Sequence, residues 1–342
     1  MVLCAVPLAA IGCSPRWTLR TVRPAQALQW PYQPEAAKVA YVECLTGLAG
    51  RGGAGGALRD IVIGKARQDE NAFVLPVAVA TGQDGRIAVA DMGRKCVHLY
   101  LPAERRYLRL ARLGDDVLVS PVGLCFDDAS RLYVSDSTGF VLVFGADGTG
   151  LRVLRTAGEA RLERPTGLAF SSRKKLLYVV DTLASRVHAL APDGSLAFSF
   201  GGWGEALGQF NRPTHIFSAL SGELFVTDSL NFRIEIFDED GRPVGSFGRH
   251  GDGSGDLAMP KGLAVDGDGT VYVVDGLLDN VQLFDRRGDF LLTVGERGTG
   301  FGEFWLPSGA FISDRGQLYV CDTYNARVQM FQITERYRHD GS

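Results

Sequence analysis

Short apolar runs alternate with turn residues along most of the chain, and residues 260–284 show this pattern most clearly. After Pro260 come an apolar run, the turn sequence DGDG at 266–269, a second apolar run that ends at Asp275, and a third at 281–284. Runs of four to six residues rich in Val, Tyr, Phe and Leu, separated by Asp and Gly, are typical of antiparallel strands joined by tight turns. The pattern therefore predicts a sheet unit.

This unit starts six times along the chain, at intervals of 44 to 48 residues. A repeat of this length with three or four short strands is typical of a β-propeller blade. We label the strands of each blade a to d in chain order, so that strand a follows a proline and strand b ends in an aspartate. We therefore predict an all-β protein, a six-bladed β-propeller whose blades begin at Pro76, Pro121, Pro165, Pro213, Pro260 and Pro307.

The sixth repeat is too short for a strand d, because its strand c at 327–333 is followed only by the charged tail 335–342. Near the other end of the chain, residues 38–46 alternate apolar and polar positions as a half-buried strand does. We expect this N-terminal strand to complete the last blade and close the ring, since a bare strand edge would otherwise remain. The predicted propeller spans 38–334, and residues 47–75 have no assigned role.

The first 13 residues are apolar, too few to span a bilayer as a helix, and suited to a secretory signal. Residues 9–13, AAIGC, resemble the bacterial lipobox, in which the cysteine after the cleavage site is diacylated. The resemblance implies that Cys13 anchors the protein to a membrane of the cell envelope, facing the periplasm or the cell surface. An ordinary cleaved signal and a wrongly assigned start are the alternatives. Residues 14–37 contain four prolines without strand periodicity and are predicted to be a tether.

The repeat phrase P-x-G-[LI]-A-x-D…G-x-[LV]-Y-V-x-D-x-x-N-x-R-[VI]-x-x-F, best matched by residues 213–237 and 307–331, resembles the NHL repeat of six-bladed propellers. The resemblance covers residues 76–333. Blade 2 departs from it by a shortened turn after Asp136, and blade 5 by Asn280 in the place of the arginine. Some propellers of this kind bind RNA through a basic face, and the related peptidyl-hydroxyglycine amidating lyases bind zinc through histidines of several blades.

Composition and motifs argue against both of those activities here. The net charge is −3, whereas binding to a phosphate backbone needs a clustered positive surface. His98 and His188 fall in c strands, His250 in a loop and His339 in the tail, so no zinc-binding trio is predicted. We expect no metal, no cofactor and no nucleic acid partner.

Three recurring features are predicted to be structural. The strand b aspartates would spread around a ring and cap backbone N–H groups, because six rotated positions cannot converge on one ion. The glycine-rich stretches 201–210, 248–257 and 295–304 lead into a proline and a strand, so they predict connections between blades and not phosphate loops. Four cysteines have no short paired spacing and are predicted to be buried free thiols: Cys44, Cys96, Cys125 and Cys321.

These observations favour a monomeric, non-catalytic binding or scaffold propeller that presents one face to an unknown protein, peptide or glycan. The alternative is a propeller enzyme, either similar to the amidating lyases or a metal-dependent hydrolase. The a–b and c–d turns are short, whereas the b–c turns and the connections between blades carry more side chains that suit binding. For Arg186, Arg233 and Arg327 the alternative to a binding role is a structural one, in which each arginine only pairs with the aspartate of its own turn. The candidate binding residues of this longer-loop face are Arg94, Arg186, Trp203, Arg212, His215, Arg233, Arg249, Arg297 and Arg327.

Overall fold

The structure is a computed structural model that describes residues 16–51 and 69–334. Within these ranges the regular elements are β-strands and two short 3₁₀ turns, Ser229–Asn231 and Thr323–Asn325. No helix long and apolar enough to cross a bilayer occurs in the described part of the chain.

Six antiparallel sheets of four main strands follow one another along the chain, which confirms the predicted six-bladed β-propeller. Blades 1 to 3 consist of Pro76–Thr81, Ile87–Asp91, Cys96–Leu101 and Arg106–Leu110; Pro121–Phe126, Leu132–Asp136, Phe140–Phe144 and Gly150–Leu154; and Pro165–Ser171, Leu176–Asp181, Arg186–Leu190 and Leu196–Gly201. Blades 4 to 6 consist of Pro213–Ser218, Glu223–Asp228, Arg233–Asp238 and Pro243–Phe247; Pro260–Val265, Val271–Asp275, Asn280–Phe284 and Phe290–Val294; and Ala310–Ile312, Gln317–Asp322, Arg327–Ile333 and Val39–Arg51.

Two connections between blades carry short hairpins of their own. Arg112–Leu113 pairs with Asp116–Val117 after blade 1, and Thr156–Ala157 pairs with Ala160–Arg161 after blade 2. Since strands alternate in direction within a blade, the a–b and c–d turns share one face of the disc and the b–c turns and inter-blade connections share the other. We call these the a–b face and the b–c face.

The ring closes as predicted, because the N-terminal strand Val39–Arg51 pairs antiparallel with strand c of blade 6, Arg327–Ile333. The predicted tether at 14–37 is wrong for the residues that the structure describes. Arg16–Val22 forms a fifth strand on the outer edge of blade 6, and Gln29–Trp30 pairs with the start of the closing strand. The Trp17 ring packs against Tyr107 of blade 1 at 4.8 Å between centroids. An isolated strand pairing and an aromatic contact across a seam leave no periodic signal in a segment rich in prolines.

Six clusters of buried apolar side chains fill the six seams between neighbouring blades. The three glycine-rich stretches connect blades, as predicted, and each ends in a fully buried side chain, Phe210, Leu257 or Phe304. Hydroxyl groups add polar links across some seams: Thr182 Oγ1 donates to the Pro213 carbonyl of the next blade at 2.7 Å. All four described cysteines are buried free thiols, as expected.

Candidate functional site

The six a strands surround the central axis closely, because the second residue after the opening proline is glycine in four blades. A Cβ atom built on Gly167 would lie 2.6 Å from the Cα atom of His215, and one on Gly309 would lie 2.5 Å from the Val77 carbonyl oxygen. Contacts of this length are not tolerated by real Cβ atoms, so glycine lets adjacent backbones approach at the axis.

An axial cavity of about 730 Å³ lies where the a–b turns converge. Its walls are the second halves of the a strands, and its rim is the set of a–b turns. Of the predicted site residues only His215 lines it. Sequence reasoning missed the rest because single a–b turns look unremarkable, and the cavity exists only when six of them meet.

The cavity has aromatic walls and an acidic rim. Phe126, Phe170, Phe217 and Phe311, one from each of four blades, line it and are half-buried. Five aspartates and one arginine line its rim: Asp127, Asp128, Asp266, Asp268, Asp314 and Arg315.

His215 replaces the glycine of blade 4 and contributes to the inner wall of the cavity. Burial lowers the pKa of His215 to about 4, because the imidazolium would lose its hydration, while a hydrogen bond with the backbone of Leu263 acts weakly in the other direction. The ring is therefore neutral at pH 7.

On the b–c face, the strand b aspartates cap backbone groups as predicted. Asp181 accepts hydrogen bonds from the backbone N–H groups of Glu163 and Arg164 at 2.7 and 2.9 Å. Asp91 does the same for Val74 and Leu75 at 2.7 and 3.1 Å. Each aspartate thus ties the incoming connection to its own b–c turn. No group of three or more His, Cys, Asp or Glu that could hold a metal occurs among the described residues.

Three of the candidate arginines are held by hydrogen bonds to the protein itself. Arg233 contacts the Asp228 carboxylate at 3.2 Å and donates to three carbonyl oxygens of the preceding connection. Arg327 contacts Asp322 at 2.7 Å in the same way and is buried. Arg94 donates to the backbone carbonyls of Ala72 and Asp69.

The other candidate side chains lie on the b–c face and make fewer contacts within the protein. Arg186 and Arg212 are exposed, and Trp203 is 79% exposed. Arg249 pairs with Asp256 at 2.5 Å, and Arg297 lies 3.8 Å from an Asp279 carboxylate oxygen.

The b–c face also exposes a ring of apolar side chains that sequence reasoning missed. We call this set the apolar collar. Four members occupy the second position after the strand b aspartate in blades 3 to 6, a regularity that is readable in the sequence once the repeats are aligned. The collar consists of Val74, Val119, Leu183, Leu230, Leu277, Trp305 and Tyr324, each at least 40% exposed.

Positive charge lies near the axis inside this collar. Lys261 is the residue after the opening proline of blade 5, and its pKa is lowered by burial and by the nearby Arg164 guanidinium of blade 3. Neither side chain has an ion-pair partner within the described ranges 16–51 and 69–334. The Asp275 carboxylate, which attracts Lys261 weakly, is already occupied by four backbone N–H groups.

Comparisons with known proteins identify the repeat. The NHL repeat family model matches residues 304–331, which lie in blade 6 and the connection before it. The chain is a six-bladed β-propeller that carries an NHL repeat. No curated protein matches this NHL-repeat propeller in sequence.

Solved structures with the same fold include two enzymes. A catalytically inactive histidine-to-alanine variant of virginiamycin B lyase from Staphylococcus aureus, with quinupristin, is 11% identical with a TM-score of 0.57, and the match covers 79% of this chain and 97% of that one. A gluconolactonase from Xanthomonas campestris is 18% identical with a TM-score of 0.59, covering 77% and 87%. A Bacteroides thetaiotaomicron protein of unknown function is 16% identical with a TM-score of 0.57, covering 77% and 70%. At these identities the likeness shows the fold alone.

Proposed function

We propose that this NHL-repeat propeller is a monomeric, non-catalytic binding module that presents its b–c face to a protein or peptide partner at the cell envelope. The apolar collar carries the proposal, because it places seven exposed apolar side chains on one face of the disc, and exposed apolar surface grouped on one face usually marks an interaction site. Leucine and valine side chains offer contact area without hydrogen bonds, which suits the apolar side chains of a peptide better than a glycan. Trp203 and Arg212, both exposed, add side chains of the types that usually anchor interfaces.

The charges inside the collar specify the partner further. Arg164 and Lys261 lie close together without a carboxylate partner among the described residues, so each side chain keeps an unmet preference for an anion. We infer that the partner places a carboxylate at the axis while its apolar residues pack on the collar. A free C-terminus and an acidic side chain both supply that group.

An array of synthetic peptides with free or amidated carboxyl termini, with and without acidic residues, is probed with the labelled protein to test this function. We expect the wild type to select peptides that combine apolar residues with a carboxylate, and Leu277→Asp to weaken their binding at least tenfold. Leu151→Asp is the matched control, because Leu151 is similarly exposed on the outer strand of blade 2. Equal loss of binding in both variants, or no loss with Leu277→Asp, would overturn the proposal.

Charge reversals separate the two faces. We expect Arg212→Glu, Arg249→Glu and Arg297→Glu to weaken binding of the selected peptides, and Asp147→Arg and Asp240→Arg on the a–b face to leave it unchanged. Loss of binding only in the second pair would place the partner on the wrong face for this proposal. Lys261→Met addresses the carboxylate directly, since it should remove the preference for free over amidated peptides.

The envelope location rests on the sequence of residues 9–13, which lie outside the described residues. The chain reaches Trp17 at the rim of blade 1, where its N–H donates to the Arg105 carbonyl of the c–d turn at 2.8 Å. An anchor at Cys13 would therefore hold the disc by the rim of its a–b face and leave the b–c face accessible. Labelled palmitate should enter the wild type and not Cys13→Ala; equal labelling of the two, or a wild type found only in the soluble fraction, contradicts lipidation.

An enzyme is the second candidate, and the lyase and gluconolactonase among the solved structures are the reason to keep it. The described residues hold no metal-binding group, and His215 has no acidic or nucleophilic side chain as a hydrogen-bond partner there. These observations favour binding over metal-dependent hydrolysis.

A further inference from the structure

The axial cavity is a second site, at the opposite end of the channel from the apolar collar. Its volume of about 730 Å³ lies within the range of pockets that enclose small organic ligands. Nothing in the proposed binding of a partner on the b–c face uses it. The residues that line the cavity indicate which class of ligand it would bind.

Phenylalanine side chains from four blades line the walls, and each also packs against a buried cluster between blades. Phe126, Phe170, Phe217 and Phe311 stand on four of the six blades, so aromatic side chains border the cavity on several sides. One of these rings already meets a cation, since the Arg86 guanidinium carbon lies 5.8 Å from the Phe126 ring centroid. Aromatic faces attract cations because of their quadrupole, and several rings around one space recognise alkylated ammonium groups.

The rim adds negative charge, of which only part is neutralised by the protein. Asp127 is paired with Arg131 at 2.6 Å, and Asp128 is paired with Lys175. Asp266 instead accepts the N–H groups of its own turn and the hydroxyl group of Tyr272.

Asp314, in the neighbouring blade, is exposed and has no ion pair within the described part of the chain, and Arg315 beside it is the one arginine among the lining residues. Together with Asp266 it places carboxylates on the blade 5 and blade 6 side of the opening.

The inner wall does not offset this charge. His215 is the basic group nearest the axis within the cavity, and it is neutral at pH 7 because burial lowers its pKa to about 4. One of its ring nitrogens bonds the Leu263 backbone, and no described side chain bonds the other. A polar atom that lines a cavity without a protein partner favours a ligand or water that bonds it.

We propose that the axial cavity binds a small organic cation with an apolar body, such as an alkylated or aromatic ammonium compound. The ammonium group lies among the phenylalanine rings and the carboxylates of blades 5 and 6, and the apolar body fills the space between the a strands. This site is independent of the partner on the b–c face.

Benzyltrimethylammonium is a suitable probe, with benzyl alcohol as a neutral analogue and phenylacetate as an anionic one. Isothermal titration of the intact protein should show saturable binding of the cation and at least tenfold weaker binding of both analogues, since cation–π and carboxylate contacts act on the charge alone. Absence of saturable binding at millimolar concentration, or equal binding of the three probes, would overturn the proposal.

Blocking the opening locates the binding. Gly267 lines the cavity, and a Cβ atom there would meet no heavy atom within 4 Å, so Gly267→Trp adds a large side chain at the rim without a clash at its Cβ atom. Gly245→Trp is the matched control, because Gly245 is equally unobstructed but lies on the outer strand of blade 4. We expect Gly267→Trp to abolish binding of the cation and Gly245→Trp to retain it. Retention in both variants would mean that the cation binds elsewhere and would refute the site.

Separate removal of a rim carboxylate and of an aromatic side chain tests the contribution of each to binding. Asp314→Asn and Phe217→Leu should each weaken binding of benzyltrimethylammonium several-fold, whereas Asp193→Asn, in a c–d turn of the same face outside the cavity, should leave it unchanged. If Asp314→Asn and Phe217→Leu both bind as the wild type does, the assigned recognition is wrong.

Discussion

Glu235 is a buried carboxyl group at a position where two other blades carry glutamine. It is the third residue of strand c in blade 4, and Gln282 and Gln329 occupy that position in blades 5 and 6. Gln329 accepts from the Gly302 N–H at 2.9 Å and donates to the Glu303 carbonyl at 2.6 Å. Glu235 accepts the equivalent hydrogen bond, from the Gly208 N–H at 3.1 Å, but its carboxylate has no N–H to donate to a carbonyl.

Burial raises the pKa of Glu235 from its ordinary value of 4.5 to about 7, against the opposing effects of the Gly208 N–H and the Arg233 guanidinium. Arg233 Nη2 lies 2.6 Å from Oε1, yet the contact lacks hydrogen-bond geometry. An acid whose pKa is higher in the folded state destabilises the fold where it must ionise. The penalty is absent well below pH 4.5, grows as pH rises from 4.5 to about 7, and is constant above that range.

The change Glu235→Gln removes this penalty and supplies the missing N–H donor. The difference between a pKa of 4.5 and about 7 corresponds to about 3 kcal/mol at pH 8, and this net value already includes the attraction to Arg233. We expect the variant to be about 3 kcal/mol more stable than the wild type at pH 8. At pH 5 the folded carboxyl group is protonated, and the advantage falls to about 1 kcal/mol or less.

Urea unfolding of both proteins at pH 5 and pH 8 measures these differences. Glu205→Gln is the control, because Glu205 lies in the adjoining connection and is exposed. The reasoning is refuted if Glu235→Gln destabilises the fold at pH 8, or if the difference from the wild type is the same at both pH values.

Three further predictions concern how the ring holds together. A chain that starts at Gly47 lacks most of the closing strand and should lose several kcal/mol of a stability of about 5–15 kcal/mol. A chain that starts at Ala25 loses only the outer strand and should melt closer to the full protein. Equal melting temperatures of the two shortened chains would contradict this prediction. Gly167→Ala should destabilise the ring by more than about 1 kcal/mol in urea unfolding, because its Cβ atom would meet the His215 backbone, and Gly245→Ala should be close to neutral. Thr182→Val should cost about 1–3 kcal/mol by the same measurement, since it leaves the Pro213 carbonyl without its donor; a neutral effect would mean that water replaces the hydroxyl group.

The sequence by itself determined the repeat and therefore most of the fold. Six prolines at intervals of 44 to 48 residues, apolar runs and Asp-Gly turns define the blades, because each blade is built from contacts that are local in the chain. The missing strand of blade 6 and the orphan strand near the N-terminus predicted the closure for the same reason: a count of strands is a property of the sequence. The aspartates that end each strand b were readable as caps, since the turn that follows each of them is local too.

Only the tertiary structure decided what the faces of the disc offer. Phe126 and Phe311 are far apart in sequence and line one cavity, because a closed ring brings equivalent positions of different blades to a common axis. Arg164 of blade 3 acts on Lys261 of blade 5 for the same reason. The outer strand Arg16–Val22 was not predicted because its order depends on an edge that exists only after the ring has closed. Functional sites of a propeller arise from this convergence of distant residues, which periodicity along the chain does not encode.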